Sequence, residues 1–151
     1  MLKKIQKLLL ILCCVLGFSL IMIPNIKAFY PDNLYGDPNY VMASAHMGEA
    51  WYIRKDSLAK DLVKPPYYQY TIEVVYATAN MEDMHSSTEK EWRMEEKKRF
   101  TMTFYYENGL DGMYLVKADG SLRYIDLNGP WAENGYLDGV GRAVWKLGKQ
   151  D

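Results

Sequence analysis

The sequence predicts an α+β fold, in which an antiparallel sheet of five or six strands has a C-terminal helix packed on one face. All 13 tyrosines and all four tryptophans lie beyond residue 28, and aromatic side chains favour strands. Apolar and polar residues alternate with a period of two over Tyr67–Ala77, which is typical of a strand with one buried face. Near the C-terminus the period changes, and Leu137, Val140, Val144 and Leu147 follow the spacing of an apolar helix stripe.

The first two strands are predicted to form a hairpin. Residues 40–46 alternate, residues 47–49 supply a turn, and in residues 50–54 Trp51 and Ile53 share a face. The strand that follows is expected to start directly after Pro65-Pro66, because neither proline donates a hydrogen bond to a ladder. Its more apolar face consists of the even-numbered residues Tyr68, Tyr70, Ile72, Val74 and Tyr76.

The later strands follow from the same pattern. Residues 99–106 alternate again, and a Glu-Asn-Gly turn leads to a strand at 113–117. A tight turn with Gly120 at positive φ then leads to a strand at 122–127. In the C-terminal helix, Gly139 and Gly141 each cost about 1 kcal/mol relative to alanine, so we expect this helix to depend on docking against the sheet.

The first 28 residues have the layout of a secretory signal peptide. Three lysines precede an apolar run over residues 8–23, and Ile26-Lys27-Ala28 suits signal peptidase. As a helix the run would be about 24 Å long, short of the roughly 30 Å hydrocarbon core, so cleavage after Ala28 is favoured over a retained anchor. Cys13 and Cys14 lie within the run, so residues 29–151 contain no cysteine.

Residues 29–151 are expected to form a single exported domain that is periplasmic, extracellular or exposed at the cell surface. The 18 basic groups of the chain include four lysines in the first 28 residues, which leaves 14 basic against 19 acidic groups. Without a basic stripe or a cationic amphipathic helix, neither nucleic acid nor a membrane surface is predicted as a partner. Residues 29–39, which contain two prolines and no periodic pattern, are expected to lie over the domain as a strap.

The stretch 84–100 is the part of the chain richest in ionisable groups. His85 and Glu89 are four residues apart, but a metal site needs about three or four convergent ligands, so no metal or cofactor is predicted. Two structures remain open for this stretch. Residues 86–89 fit a helix capping box, followed by the pairs Glu89/Arg93 and Glu95/Arg99. In the alternative, Trp92 and Met94 extend the next strand, because they share the even parity of Phe100, Met102, Phe104 and Tyr106.

No catalytic residue is predicted, since no nucleophile lies beside a base in a recognisable motif. The alternative class is a small envelope hydrolase that uses a pair of carboxylates. Candidate pairs are Asp111 with Asp126 and Glu73 with Glu107.

The aromatic residues are the main candidates for a binding surface. Parity or loop position places Tyr67, Trp92, Tyr105 and Trp131 away from the predicted core. Tyrosine and tryptophan stack on sugar rings or anchor protein partners. The competing interpretation is that they pack against the strap or against residues 78–96.

Four segments carry a resemblance to known proteins: "DNLYGDPNYVMASAHMGEAWYIRKDSL", "KPPYYQYTIEVVYA", "RFTMTFYY" and "SLRYIDLNGPWAENG". Their order resembles that of small exported proteins of unassigned function from anaerobic bacteria. More distantly, it is similar to the surface-adhesin protein E family. That resemblance implies an antiparallel sheet, a C-terminal helix and a role in binding host proteins, and it assigns no binding residue. Together these features predict an exported, non-catalytic binding module whose partner is another protein or a glycan at the cell surface.

Overall fold

Seven antiparallel strands and a C-terminal helix make up the described part of the chain. The computed structural model describes residues 29–85, 91–128 and 135–149; the predicted signal peptide, with Cys13 and Cys14, lies outside these ranges. The strands are β1 (Tyr40–His46), β2 (Glu49–Arg54), β3 (Ala59–Lys64), β4 (Tyr67–Ala79), β5 (Met94–Glu107), β6 (Gly112–Val116) and β7 (Leu122–Asp126). The helices are α1 (Met81–Met84) and α2 (Tyr136–Gly148), with 3-10 turns at Leu34–Gly36 and Lys55–Ser57. The predicted α+β class with an antiparallel sheet is therefore confirmed.

The sheet has the order β1-β2-β4-β5-β6-β7, and β3 also pairs with β4. The two halves of the long strand β4 have different partners on one edge: its first half pairs with β3 and its second half with β2. Strand β5 runs along the whole of the other edge. The resulting sheet is curled as a half-barrel.

Strand β3 was not predicted from the sequence. All six of its residues are exposed, so neither face of the strand requires apolar residues and the sequence shows no alternation of apolar and polar residues. The strand forms because its backbone pairs with the first half of β4 across the Pro65-Pro66 turn, whose peptide bond is cis. With β3, the sheet has one strand more than the upper limit of the prediction.

One hydrophobic cluster, called here the helix-side cluster, joins α2 to the sheet. Leu137, Val140 and Val144 of the helix are buried in it. Its buried strand residues are Ile53, Tyr70, Ile72, Val74, Met102, Phe104, Tyr106, Met113 and Ile125. The predicted helix and its apolar stripe are thus present, and no helix among the described residues has the length and apolarity needed to cross a bilayer.

A second cluster, called here the strap-side cluster, contains residues of the strap 29–39. Leu34 of the strap is buried with Ala50, Tyr52, Val75 and Ala77. Hydrogen bonds tie the strap to the sheet: the Tyr52 hydroxyl donates to the Pro31 carbonyl at 3.1 Å, and the Gly48 N–H donates to the Tyr30 hydroxyl at 2.6 Å. Neighbouring residues of β4 therefore belong to different clusters, with Val74 in the helix-side cluster and Val75 in the strap-side cluster.

Irregularities in the ladders change which residues share a face. The pairing skips Ala43 in β1, Asp61 in β3 and Lys97 in β5, and each skipped residue is a β-bulge. Because of the bulge at Lys97, Met94 packs against the strap-side cluster whereas Phe100 packs against the helix-side cluster. The prediction that their even parity places both on one face is therefore wrong.

The open question about residues 84–98 is decided in favour of a strand from Met94 onward. The short helix α1 precedes it and is capped by Asn80, whose side chain accepts a hydrogen bond from the Glu82 N–H at 2.9 Å. The predicted capping box at 86–89, and with it the Glu89/Arg93 pair, lies outside the described residues. The predicted Glu95/Arg99 pair is replaced by Glu95 with Lys97, at 2.8 Å.

Candidate functional site

Four tyrosines lie side by side across four neighbouring strands, and we call them the tyrosine row. They are Tyr67 on β4, Tyr105 on β5, Tyr114 on β6 and Tyr124 on β7. The ring centroids are 6.2 Å apart for Tyr67 and Tyr105, 6.4 Å for Tyr105 and Tyr114, and 5.5 Å for Tyr114 and Tyr124. These separations fall within the range of favourable aromatic pairs.

Strand register brings the row together. Tyr105 is directly opposite Tyr114, and Tyr114 is directly opposite Tyr124. Tyr67 is diagonal to Tyr105, because Gln69 occupies the position directly opposite. At Gly112 a Cβ would lie only 2.4 Å from Cε2 of Tyr124, so the absence of a side chain there gives the Tyr124 ring its space.

The row lies on the face of the sheet away from the helix-side cluster. Successive side chains of a strand point to opposite faces, and Phe104, Met113 and Ile125, which precede or follow row members, are all buried in the helix-side cluster. The outer members of the row are open to solvent, with Tyr67 41% and Tyr124 46% exposed. The row is therefore a shallow, solvent-facing aromatic surface.

Acidic groups lie beside Tyr105 and Tyr124, whereas Lys64 is directly opposite Tyr67 at the other end of the row. Desolvation raises the pKa of Tyr105, and the Glu107 carboxylate raises it further. The pKa of Tyr124 is raised first by desolvation and then by Asp126 and Asp111. With ordinary values near 10, these phenols stay neutral at physiological pH, and each hydroxyl can donate as well as accept a hydrogen bond.

The two carboxylate pairs suggested by the sequence have different outcomes. Asp126 pairs in register with Gly112, the residue after Asp111, so the chain places Asp111 and Asp126 close together beside Tyr124. Glu73 and Glu107 are not neighbours, because Glu73 lies opposite Thr101 and is therefore six residues from Glu107 along β5, about 20 Å. The prediction that Glu73 and Glu107 form a carboxylate pair is therefore wrong.

Glu73 belongs instead to a group of charged residues between the row and the strap. Arg99 donates to Glu73 at 3.0 Å and to Glu96 at 2.8 Å, and Arg54 lies 3.5 Å from Glu73. The Tyr35 hydroxyl of the strap donates to Glu96 at 3.0 Å. The pKa of Glu96 is lowered, chiefly by its hydrogen bond from Arg99. This group links β4, β5 and the strap.

Of the four aromatic residues suggested by the sequence, the structure describes three, and these three do not lie together. Tyr67 and Tyr105 are neighbours in the row. Trp92 is half-buried, stacks on Phe29 at 5.2 Å and donates its backbone N–H to the Phe29 carbonyl at 2.7 Å. Trp131 lies outside the described residues.

Sequence reasoning missed Tyr114 and Tyr124. The signal that would have found them is the predicted hairpin 113–127. Pairing its two strands about the turn at Gly120 sets Tyr114 opposite Tyr124.

Metal binding finds no support in the described ranges 29–85, 91–128 and 135–149, where no group of three or more histidine, cysteine or acidic side chains is placed to hold an ion. His46 and His85 are both exposed. In comparisons with known proteins, no family model, curated protein or solved structure matches this chain.

Proposed function

We propose that this protein is an exported, non-catalytic binding module of the cell envelope, and that the tyrosine row holds a glycan chain. The observation that carries the proposal is the row itself: four tyrosine rings on successive strands, on the sheet face opposite the helix-side cluster. The predicted signal peptide supports export.

The shape of the row suits an extended, ring-containing polymer. The ring centroids of neighbouring row members are 5.5–6.4 Å apart, so the row offers aromatic rings at short intervals. The apolar face of a sugar ring stacks on such rings, while its hydroxyl groups bind nearby polar groups. Gln69 and Glu107 lie beside the row and can make such hydrogen bonds. The acidic groups beside Tyr105 and Tyr124 favour a neutral or cationic glycan over an anionic one at that end of the row.

A protein partner is the other possibility that the resemblance to the surface-adhesin protein E family brings forward. Protein interfaces concentrate their binding energy in desolvated pockets surrounded by a water-excluding rim. The tyrosine row is shallow and linear, which favours the glycan.

Calorimetric titration with soluble fragments of neutral envelope polysaccharides tests the proposal. Tyr124→Ala and Tyr67→Ala each remove one stacking ring, worth about 0.5–1.5 kcal/mol, so we expect roughly a 2- to 12-fold loss of affinity. Tyr35→Ala is the matched control, because Tyr35 is 63% exposed but lies in the strap, away from the row. Glycan affinity that is unchanged by the row variants would overturn the assignment of the site. Capture of a protein whose binding requires Tyr124 would overturn the assignment of a glycan as the ligand.

A small envelope hydrolase is a second candidate, because Asp111 and Asp126 lie together at the Tyr124 end of the row. A polymer held along the row would pass these carboxylates. Asp126→Asn would then abolish cleavage of the bound glycan while its affinity is retained. Intact glycan after long incubation with the unmodified protein would contradict this second candidate and leave the first in place.

A further inference from the structure

A cleft of about 430 Å³ lies between α2 and the strands β1 and β2, far from the tyrosine row. Its lining comes from β1, the end of β2, the 3-10 turn that follows and one side of α2. Val41, Ile53, Ala143 and Leu147 give it an apolar surface. The volume falls within the range of about 300–1,000 Å³ that is usual for sites that bind small molecules.

The charged groups of the cleft all have the same sign. Lys55, Arg142 and Lys146 line it, and no carboxylate of the described residues does. The positive charge of the cleft is opposite in sign to the net charge of residues 29–151, which have 14 basic and 19 acidic groups. The acidic residue next to Lys55, Asp56, is held by Arg54 at 2.6 Å. Asp138, one turn before Arg142 on α2, is buried and does not line the cleft, so it offsets at most one of the three cations.

The helix dipole accounts for only part of this arrangement. Cations are favoured in the last turn of a helix, which suits Lys146. Lys55 belongs to another element, the turn after β2, and still lines the same cleft. Arg142 is anchored in the wall, because its Nε atom is buried. Three cations from two elements therefore converge on an apolar cavity.

Small residues keep the cleft open. At Gly139 a Cβ would lie 2.4 Å from the carbonyl oxygen of Ala43, so the helix is seated closely against β1 at this end. Beyond that contact the facing positions are Ala43 and Ala143, whose single methyl groups leave room between helix and strand.

We propose that this cleft binds a medium-chain fatty acid, with the alkyl chain against the apolar wall and the carboxylate between Lys55, Arg142 and Lys146. The charge complementarity selects an anion, and the apolar lining selects a hydrocarbon body. A carboxylate also matches the planar fork of the arginine side chain. This site is separate from the proposed glycan surface and does not depend on it.

Isothermal titration with decanoate, below its micellar concentration, tests the proposal. Decanol has the same chain without the charge and should bind at least tenfold more weakly, and decyltrimethylammonium should not bind. The double variant Lys55→Gln/Lys146→Gln should lower decanoate affinity at least tenfold; both side chains are exposed, so its unfolding midpoint should stay near that of the parent. Lys117→Gln, an exposed lysine in the β6–β7 turn, is the charge-matched control and should have no effect.

Ala143→Leu fills the cleft and should weaken decanoate and decanol alike. Equal affinity for decanoate and decanol, or decanoate affinity unchanged in the double lysine variant, would overturn the proposal, as would the absence of decanoate binding. Tyr124→Ala should leave decanoate affinity unchanged. Loss of glycan binding in that variant with normal decanoate binding would separate the two sites.

Discussion

Gly139 shows how a missing side chain positions the C-terminal helix. Judged from the sequence, this glycine only weakens the helix, by about 1 kcal/mol relative to alanine. In the structure a Cβ at this position would lie 2.4 Å from the Ala43 carbonyl oxygen and 2.7 Å from the Ser44 Cβ. Neither neighbour is the end of a flexible side chain. The glycine therefore permits an approach between α2 and β1 that alanine would prevent.

Gly139→Ala should accordingly lower the free energy of unfolding, by about 1–3 kcal/mol, although alanine is the better helix former. Urea denaturation measures the change. Gly141→Ala is the graded control, because the atoms that its Cβ would meet all belong to side chains, which can move aside: Cγ2 and Cδ1 of Ile125, at 3.1 and 3.3 Å, and Sδ of Met113, at 3.4 Å. A Gly139→Ala variant at least as stable as the parent would show that the close approach is not needed.

The lowered pKa of Glu96 predicts how the stability of the protein depends on pH. Its carboxylate accepts hydrogen bonds from Arg99 and Tyr35, and its pKa lies below the ordinary 4.5, mainly because of Arg99. A carboxyl group with a lowered pKa in the folded state stabilises the fold fully above its unfolded pKa, and this contribution disappears as the pH falls through the folded pKa. Glu96→Gln should therefore be destabilising at pH 7 and progressively less so below about pH 4.5.

Urea midpoints recorded between pH 7 and pH 3 test this dependence. Glu82→Gln is the control, since Glu82 has an exposed side chain that lies 3.6 Å from Arg93. A stability difference between parent and Glu96→Gln that stays constant over this pH range would contradict the assigned role of the Arg99 hydrogen bond.

At the scale of elements, the bulge at Lys97 decides how the long strand β5 distributes its side chains. Lys98 pairs with Tyr76 and Glu96 pairs with Ala77, so Lys97 has no partner in the ladder. The bulge lets β5 contribute to the helix-side cluster after residue 99 and to the strap-side cluster before residue 95. Bulges also strengthen the local twist of a strand, in keeping with the curled sheet.

Deletion of Lys97 should be tolerated, because both flanking pairs and both faces are preserved. The ion pair with Glu95 that it removes is exposed to solvent and contributes little to stability. Deletion of Thr101, which pairs with Glu73 in the regular part of the ladder, should be far more damaging. Deletion of Thr101 moves Phe100 off the helix-side cluster and brings Arg99 into its place. Urea unfolding and near-ultraviolet circular dichroism distinguish the two deletions. An equal loss of stability in both would contradict the assignment of Lys97 as a bulge.

At the scale of the whole molecule, stability depends on two clusters that share strand β4. Leu34 is outside every strand yet only 1% exposed, and it lies in the strap-side cluster. Leu34→Ala should lower the free energy of unfolding by about 2–5 kcal/mol, as expected for a fully buried leucine. Leu122→Ala, at a strand residue that is 52% exposed, should change it by less than about 0.5 kcal/mol. Comparable losses in the two variants would show that the strap does not support the core.

Most of the elements were predictable because their signals are local. Six of the seven strands and the C-terminal helix were predicted from alternation, helical spacing and turn residues, including the positive φ of Gly120. Strand β3 was not, because its residues are all exposed and its formation depends on pairing with β4. In the candidate site, parity predicted that Tyr67 and Tyr105 lie away from the core. Tyr114 and Tyr124 join them only through the register of β6 and β7.

The sequence by itself determined where six of the seven described strands and the C-terminal helix form, since a period of two or of 3.6 residues can be recognised among neighbouring residues. It also located the charged stretch before Phe100, which continues β5 as a strand from Met94. Only the tertiary structure decided which face each residue occupies beyond a bulge, how the strap packs on the sheet, and which tyrosines meet in one row. Those outcomes depend on contacts between residues far apart in the chain, and a shift of one residue in register reverses the face of every side chain that follows.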